Sequence, residues 1–303
     1  MTAQKREERL QDVPISISVT SGDDLARNNI NLVENISRVT PGLVINRYYT
    51  FVAAFLRGIG TRYSTAGLES TVGNYVDDLY SSRPSASALD FVDVERVEVL
   101  KGPQGTLFGR NTSGGAIRII TKDPVDHFEG KAALSYGRFD EVKADGVVNL
   151  PLSEKVASRF AVSYAHDDGY IKNIDPDMHR FQNKNTIVAS GKIVARPTDN
   201  LTFKLSAMYG RKRDWSVSLI NIFPDYRNIG VALGGTPSPD FYVTSQNFPK
   251  NHDGGAYFRN ASVAFRADLD LEGFTVSSIT GYQDLRNSGG SCPSSEHSAQ
   301  LAA

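Results

Sequence analysis

The sequence predicts an α+β domain over residues 1–125 followed by antiparallel transmembrane β-barrel strands over residues 126–303. Three observations carry this. The texture changes at Asp123-Pro124, from short mixed elements with glycine-rich loops to uninterrupted strand-like runs. Beyond Phe128 apolar and polar residues alternate with period two, as on strands with unlike faces. The connections between those runs also alternate, short then long, the layout of an outer-membrane barrel. Periodicity alone fits a soluble β-sandwich or β-solenoid equally well. The loop lengths, and the lysines and arginines on the polar phase, favour a large water-filled barrel.

The elements follow in order. Leu10–Val19 ends as a strand, with Val13, Ile15, Ile17 and Val19 on one face. Ser21-Gly22-Asp23-Asp24 starts a helix, with Asp23 or Asp24 as cap for Leu25–Asn29. Asn31–Ile36 reads as a second short helix, closed before Pro41-Gly42, and Leu43–Asn46 is extended. Val94–Leu100 and Ala116–Thr121 are strands, and Arg96 and Glu98 share a face on which they can meet charges of a polar lumen wall. Seven strands are expected afterwards, over 130–139, 141–150, 156–165, 187–195, 201–209, 260–269 and 274–282. Short turns fall near 151–155, 197–200 and 270–273, and long connections at 166–184, 210–254 and beyond 284. Tyr136, Phe139, Tyr164, Tyr209 and Tyr282 sit at strand ends, where interfacial aromatic girdles lie.

Composition excludes several classes. The 33 Lys+Arg against 34 Asp+Glu leave a net charge of −1, without the basic excess of a nucleic-acid binder. No run approaches the ~18 apolar residues of a membrane helix, which leaves barrels untouched. The single cysteine, Cys292, cannot build an internal disulfide framework or a Cys-based zinc cluster. The polar start Met1–Arg9 lacks a signal-peptide core, so either the protein is cytoplasmic or its leader lies outside this sequence.

Three segments then occur in order: Phe55-Leu-Arg-Gly-Ile-Gly60, Val76-Asp-Asp-Leu-Tyr80, and the block from Val92 to Ile117 containing Lys101-Gly-Pro-Gln-Gly-Thr-Leu-Phe-Gly-Arg-Asn111. Together they resemble the plug of TonB-dependent outer-membrane receptors of the siderophore-receptor type, from about Gln11 to Lys122. The resemblance implies a plug and the first part of a barrel, with no enzymatic activity. It implies energy-coupled uptake of a scarce nutrient, most readily an iron–siderophore complex. It also implies a TonB-type inner-membrane energy-transducing complex as partner and an outer-membrane location in a Gram-negative bacterium. Thr2–Arg6 look like the residues just after the family's energy-coupling box. Its plug signature and gating set maps onto Arg57, Gly58, Gly60, Arg96, Glu98, Lys101, Gly102, Pro103, Gly105, Gly109, Arg110, Asn111, Gly114 and Gly115. Arg57 and Lys101 are, by resemblance, plug cations expected to pair with barrel glutamates. Lys101 stands where most relatives carry arginine, which weakens the case for bidentate pairing. The glycines have their own reading: Gly102, Gly105 and Gly109 suit a loop needing positive φ, and Gly114-Gly115 a close backbone approach.

Other signals are weaker. Gly102–Gly109 is not a phosphate loop, because Arg110-Asn111 follows where Lys-Ser/Thr is needed. The five histidines have no metal-ligand spacing, and no metal or cofactor is expected. Trp215, Phe223 and Tyr226, on a long outer connection, suit contact with an aromatic or sugar-like ligand or packing of the loop upon itself. Two other classes stay open. One is a non-transporting surface or secreted β-rich binding or adhesion protein with a plug-like module, and the other is a β-rich carbohydrate-active enzyme. Plugged transporters of the implied type use about 22 strands, on the order of 550 residues with their loops. The chain is accordingly expected to be the N-terminal portion of such a receptor, not competent for transport by itself.

Overall fold

The computed structural model describes residues 15–30, 32–48, 51–61, 69–81, 92–173, 180, 182–214, 243–244, 256–288 and 296–302. The first domain contains β1 (Ile17–Ser21), β2 (Leu43–Tyr48), β3 (Phe51–Leu56), β4 (Ile59–Gly60), β5 (Val72–Val76), β6 (Leu79–Ser81), β7 (Val94–Lys101) and β8 (Gly115–Thr121). A mixed sheet runs β1-β7-β8-β5-β6, with β5 parallel to β8 and the other pairs antiparallel, and β2-β3-β4 form a separate antiparallel sheet.

Both faces of the mixed sheet are covered. Val97, Val99, Ile117 and Ile119 pack with Leu25, Val33, Ile36 and Leu56, and on the other side Leu100 and Ala116 pack with Tyr75, Tyr80 and Phe108. Full burial of such side chains is worth about 1.5–3 kcal/mol each. Helix α1 (Gly22–Arg27) is capped by Ser21 rather than by Asp23 or Asp24. The Ser21 hydroxyl oxygen accepts the Asp24 N–H at 3.1 Å, and the Asp24 carboxylate takes the Ser21 hydroxyl proton at 2.7 Å, a reciprocal cap. The helix expected over 31–36 is a 3-10 helix over Val33–Arg38. Its ends close by bonds of i→i+3 type, from the Asn35 N–H to the Leu32 carbonyl and from the Val39 N–H to the Ile36 carbonyl.

The second domain contains β9 (Glu129–Tyr136), β10 (Val142–Ser153), β11 (Val156–Asp167), β12 (Lys172–Asn173), β13 (Lys184–Thr198), β14 (Leu201–Asp214), β15 (Val243–Thr244), β16 (Ala256–Leu271), β17 (Phe274–Ser288) and β18 (Glu296–Ala302). Eight of these form one antiparallel sheet in chain order, β9-β10-β11-β13-β14-β16-β17-β18. Seven were expected. The eighth, β18, has a sequence without clear alternation, Glu-His-Ser-Ala-Gln-Leu-Ala, and is held by register with β17. The short β12 and β15 pair in parallel and join two of the long connections. At about 3.3 Å per residue, β13, β14, β16 and β17 are longer than an apolar band of ~25 Å needs even when tilted, so they project beyond it. No helix among the described residues is long and apolar enough to cross a membrane.

Alternation sorts the two faces of this wall. Phe160, Val162, Tyr164, Leu205, Tyr209, Val263, Phe265 and Tyr282 are exposed on the outside, and the Phe203 and Phe265 rings stack at 5.8 Å. Ala157, Arg159, Ala161, Ser163 and Ala165 on β11 are buried on the inside, where Arg159 bonds Asp93 and Ala161 shares a cluster with Val92 of the first domain. A Cβ on Gly281 would lie 2.3 Å from Leu79 Cδ1, so the missing side chain seats β6 against β17. The linker between the domains is fixed by Asn149 of β10. Its side-chain oxygen accepts the Val125 N–H at 3.0 Å, and its amide donates to the carbonyls of Val125 at 2.9 Å and His127 at 2.6 Å.

Candidate functional site: the seam between plug and wall

Four aspartates of the first domain meet four cations of the wall. The β5–β6 hairpin turns at Asp77 and Asp78, both at positive φ (45° and 68°), as a two-residue hairpin of primed type requires. That turn sends the two carboxylates in different directions. Asp77 accepts the backbone N–H of Thr121 at 2.9 Å and its hydroxyl at 2.7 Å, and lies 3.2 Å from Lys192 Nζ. Asp78 accepts from Arg118 of β8 at 2.5 Å and from Arg266 of β16 at 2.6 Å. Asp93 receives a two-pronged contact from Arg159 of β11, at 2.5 and 3.0 Å. Asp123 binds Lys192 at 3.0 Å and Lys204 at 2.5 Å.

On the wall these cations belong to β11, β13, β14 and β16, which are consecutive neighbours in the sheet. Arg159 stands directly opposite Lys192, and Lys204 directly opposite Arg266. Like charges so placed repel, and the aspartates docked from the plug neutralise them. Burial by itself pushes the Asp78 carboxyl upward, but Arg118 and Arg266 overcome it and hold the group below the usual carboxylate range. Asp123 behaves alike: burial raises it, and Lys192 and Lys204 bring it below its ordinary value. Both acids therefore stay ionised in the seam. A cavity of about 50 Å³ remains between the surfaces, lined by Asp77, Asp93, Arg159 and Lys192 together with Leu79 and Met208. It has room for a few water molecules among polar partners.

Behind the seam lies a second layer inside the plug. Glu98 is fully buried and accepts from Arg118 at 2.6 Å and Arg96 at 2.8 Å, and Arg96 also bonds Glu95. Arg96 and Glu98 thus pair with each other, and Glu98 also with Arg118, instead of meeting the wall as their shared face suggested. The reason is β8, which places Arg118 directly opposite Glu98.

The remaining signature residues frame two turns. Arg57 and Gly58 form the β3–β4 turn at φ 53° and 83°, and the Arg57 guanidinium donates to Ser16 Oγ at 2.7 Å. A Cβ on Gly60 would fall 2.3 Å from the Phe55 ring. Lys101 ends β7 with its N–H on the Ser16 carbonyl at 2.8 Å, and the Arg57 and Lys101 segments thereby converge on one residue. Gly102 (φ 101°) begins the loop, Pro103 follows, and Gly105–Phe108 form the one-turn helix α2, closed by Gly109 at φ 76°. Gly105 has no positive φ, so its conformation does not require glycine. Arg110 lies 3.7 Å from Glu69, and Asn111 donates to the Tyr80 hydroxyl at 2.8 Å. Gly114 donates its N–H to the Thr71 carbonyl at 2.8 Å. Gly115 (φ 141°) could not carry a Cβ, which would lie 2.2 Å from the Leu100 carbonyl oxygen. Trp215, Phe223 and Tyr226 lie outside the described residues. Among the described residues no group of three or more His, Cys, Asp or Glu side chains is placed to hold a metal ion.

Sequence reasoning did not single out Asp77, Asp78, Asp93, Asp123, Arg118 or Asn149. Lys192, Lys204 and Arg266 had left a trace, as charges on the phase opposite the apolar residues.

A small α+β domain held by ion pairs against a sheet with an apolar outer face has the arrangement of a plug docked on a barrel wall. Residues 9–116 match the family model of the TonB-dependent Receptor Plug Domain. Residues 9–116 thus match that plug domain, and the strands that follow share the fold of the barrel strands in solved receptors. The ferripyoverdine receptor of Pseudomonas aeruginosa is 30% identical over 160 residues, 52% of this chain and 19% of that protein. The pesticin receptor of Yersinia pestis is 34% identical over 128 residues, 41% of this chain and 18% of that protein. Among solved structures, the ferric yersiniabactin uptake receptor FyuA from Yersinia pestis superposes with a TM-score of 0.76 at 20% identity, over 91% of this chain and 41% of that one. The outer-membrane ferripyoverdine receptor of Pseudomonas aeruginosa, bound to ferripyoverdine, gives 0.73 at 18% identity, over 99% and 39%. The chain thus spans well under half the length of these proteins.

Proposed function

We propose that this chain serves energy-coupled uptake of a large, scarce nutrient across the outer membrane, with an iron–siderophore complex as cargo. The observation that carries the reading is the seam. Its plug is docked by ion pairs around one small apolar contact, Val92 against Ala161, Val188, Phe258 and Leu285, so separation from the wall exposes little apolar surface. Several of these pairs are partly exposed, and pairs of that kind contribute roughly 0–1 kcal/mol each. Relatives named for ferripyoverdine and ferric yersiniabactin support the choice of cargo.

In this reading a TonB-type inner-membrane complex pulls on the segment before β1. The converging Arg57 and Lys101 turns transmit that pull through Ser16, and Trp215, Phe223 and Tyr226 contact cargo from the outer connection. The protein makes and breaks no covalent bond, needs no resident cofactor, and engages lipid rather than nucleic acid. The test is uptake of ⁵⁵Fe-labelled ferric siderophores by cells with and without the intact gene, each with and without a working TonB complex. Uptake that requires both supports the proposal. Binding with no energy-dependent uptake of any siderophore rejects it and favours a surface binding protein.

A further inference from the structure

We infer that the Asp93–Arg159 pair is the latch whose opening sets the threshold for plug displacement, while the other seam pairs change partners. The inference deepens the transport reading above and rests on it. Each of the other plug aspartates has a second partner that survives separation. Asp78 keeps Arg118 of β8 at 2.5 Å, and Asp77 keeps the N–H and the hydroxyl of Thr121. Asp123 lies two residues before Val125, which Asn149 holds to the wall, so it stays beside Lys192 and Lys204. The wall arginines are backed in the same way. Arg266 keeps Asp268 at 2.8 Å, and Arg159 keeps Glu129 of β9 at 2.9 Å.

Asp93 has no such reserve. Among the described residues its carboxylate meets Arg159 alone, through both oxygens, at 2.5 and 3.0 Å. The pair is also the most sheltered of those crossing the seam among the described residues. Its side chains are 8% and 9% exposed, against 30% and 18% for Arg266 and Asp78. Val92, the preceding residue, packs with Ala161, Val188, Phe258 and Leu285 of the wall, so apolar contact and ion pair sit side by side. The backbone fixes the carboxylate in place: Asp93 stands at φ 49°, and its carbonyl accepts the Lys122 N–H at 3.0 Å. Exposed pairs with a second partner open gradually, because water and the reserve partner replace each contact as it is lost. A buried two-pronged pair does not, since opening it leaves a carboxylate uncompensated until water arrives. A pull on the plug therefore meets its barrier at Asp93.

The test holds the full-length receptor, reconstituted in lipid vesicles, at fixed force through a handle on the segment before β1. The dwell time of the docked plug is read for each variant. Asp93→Asn, which tolerates the positive φ, should shorten it roughly 30-fold, as weakening two charge-assisted bonds requires. Asp78→Asn should shorten it less than about fivefold, because its seam contact is screened and replaced. Arg159→Gln leaves the plug sequence untouched and should match Asp93→Asn. The double variant should be no shorter-lived than either single one, and Arg159→Lys should recover part of the dwell time. Equal shortening by Asp78→Asn and Asp93→Asn overturns the inference, because a general loss of plug stability would act on both alike. A dwell time for Arg159→Gln within about fivefold of the parent overturns it too, even where Asp93→Asn fails to fold. Energy-dependent uptake of a ferric siderophore by the parent is measured alongside. Its absence rejects the transport reading, whereas either dwell-time result rejects the latch with uptake intact.

Discussion

Replacing Asp78 by asparagine tests the seam most directly. Asparagine tolerates the positive φ of this turn, so the substitution removes charge and leaves the backbone intact. Two short contacts weaken, at 2.5 Å to Arg118 and 2.6 Å to Arg266. Charge-assisted hydrogen bonds contribute about 1.5–3 kcal/mol each. Neither arginine is stranded, since Arg118 keeps Glu98 and Arg266 keeps Asp268, so the ~3–5 kcal/mol of an abandoned buried charge does not apply. The expected loss is about 2–3 kcal/mol. Of this only about 1 kcal/mol should cross the seam, because the Arg266 side chain is 30% exposed and screened. Hydrogen exchange of the β8 amides reads the loss as roughly 30- to 150-fold faster exchange. A cycle with Arg266→Gln isolates the seam. If β8 exchange changes less than about threefold, or the two substitutions add within ~0.3 kcal/mol, the carboxylate does not clamp plug to wall.

Three further outcomes are expected. Gly115→Ala should unfold the plug, because its Cβ would collide with the Leu100 carbonyl, while Gly105→Ala should be neutral; comparing the two by circular dichroism and proteolysis checks that close approach matters rather than loop flexibility. The Asp78 and Asp123 carboxyls are held below their ordinary values, so their contribution is complete above the unfolded carboxylate pKa of about 3.9 and disappears as pH falls through the lowered values. Exchange protection of β8 should therefore be level from pH 7 to 5 and fall below ~4; a loss already at pH 5.5 would contradict this. Tyr75, pushed up to about 12 by burial and by Tyr80, should contribute stability that is complete below the ordinary tyrosine pKa near 10 and lost as pH rises toward the higher value. Tyr75→Phe, which deletes the bond to the Phe108 carbonyl, should cost about 1 kcal/mol and remove that alkaline step from a pH titration of denaturant midpoints.

The faces of the wall were legible because alternation is local: Phe203, Leu205 and Tyr209 announce an outer face within seven residues. The plug was legible from turns, since Gly102 and Gly109 in fact take positive φ. What stayed hidden is non-local. Lys192 is 115 residues from Asp77 and Arg266 is 188 from Asp78, so nothing in either neighbourhood names its partner. Arg96 and Glu98 looked ready for the wall because local alternation cannot see that Arg118 arrives opposite. The helix cap was misplaced by a few residues because Ser21, Asp23 and Asp24 are all good caps, and only geometry chooses among them.

Asn149 has a consequence beyond the linker it fixes. Its three bonds to Val125 and His127 nail the plug's exit point to the second strand of the wall. Anything upstream that is drawn off stays on a leash about three residues long, Lys122 to Pro124. Re-seating is then a first-order event at an effective concentration of order millimolar, whatever the abundance of the protein. A short tether would make any displaced state self-erasing: the aspartates return to the same cations without a diffusive search.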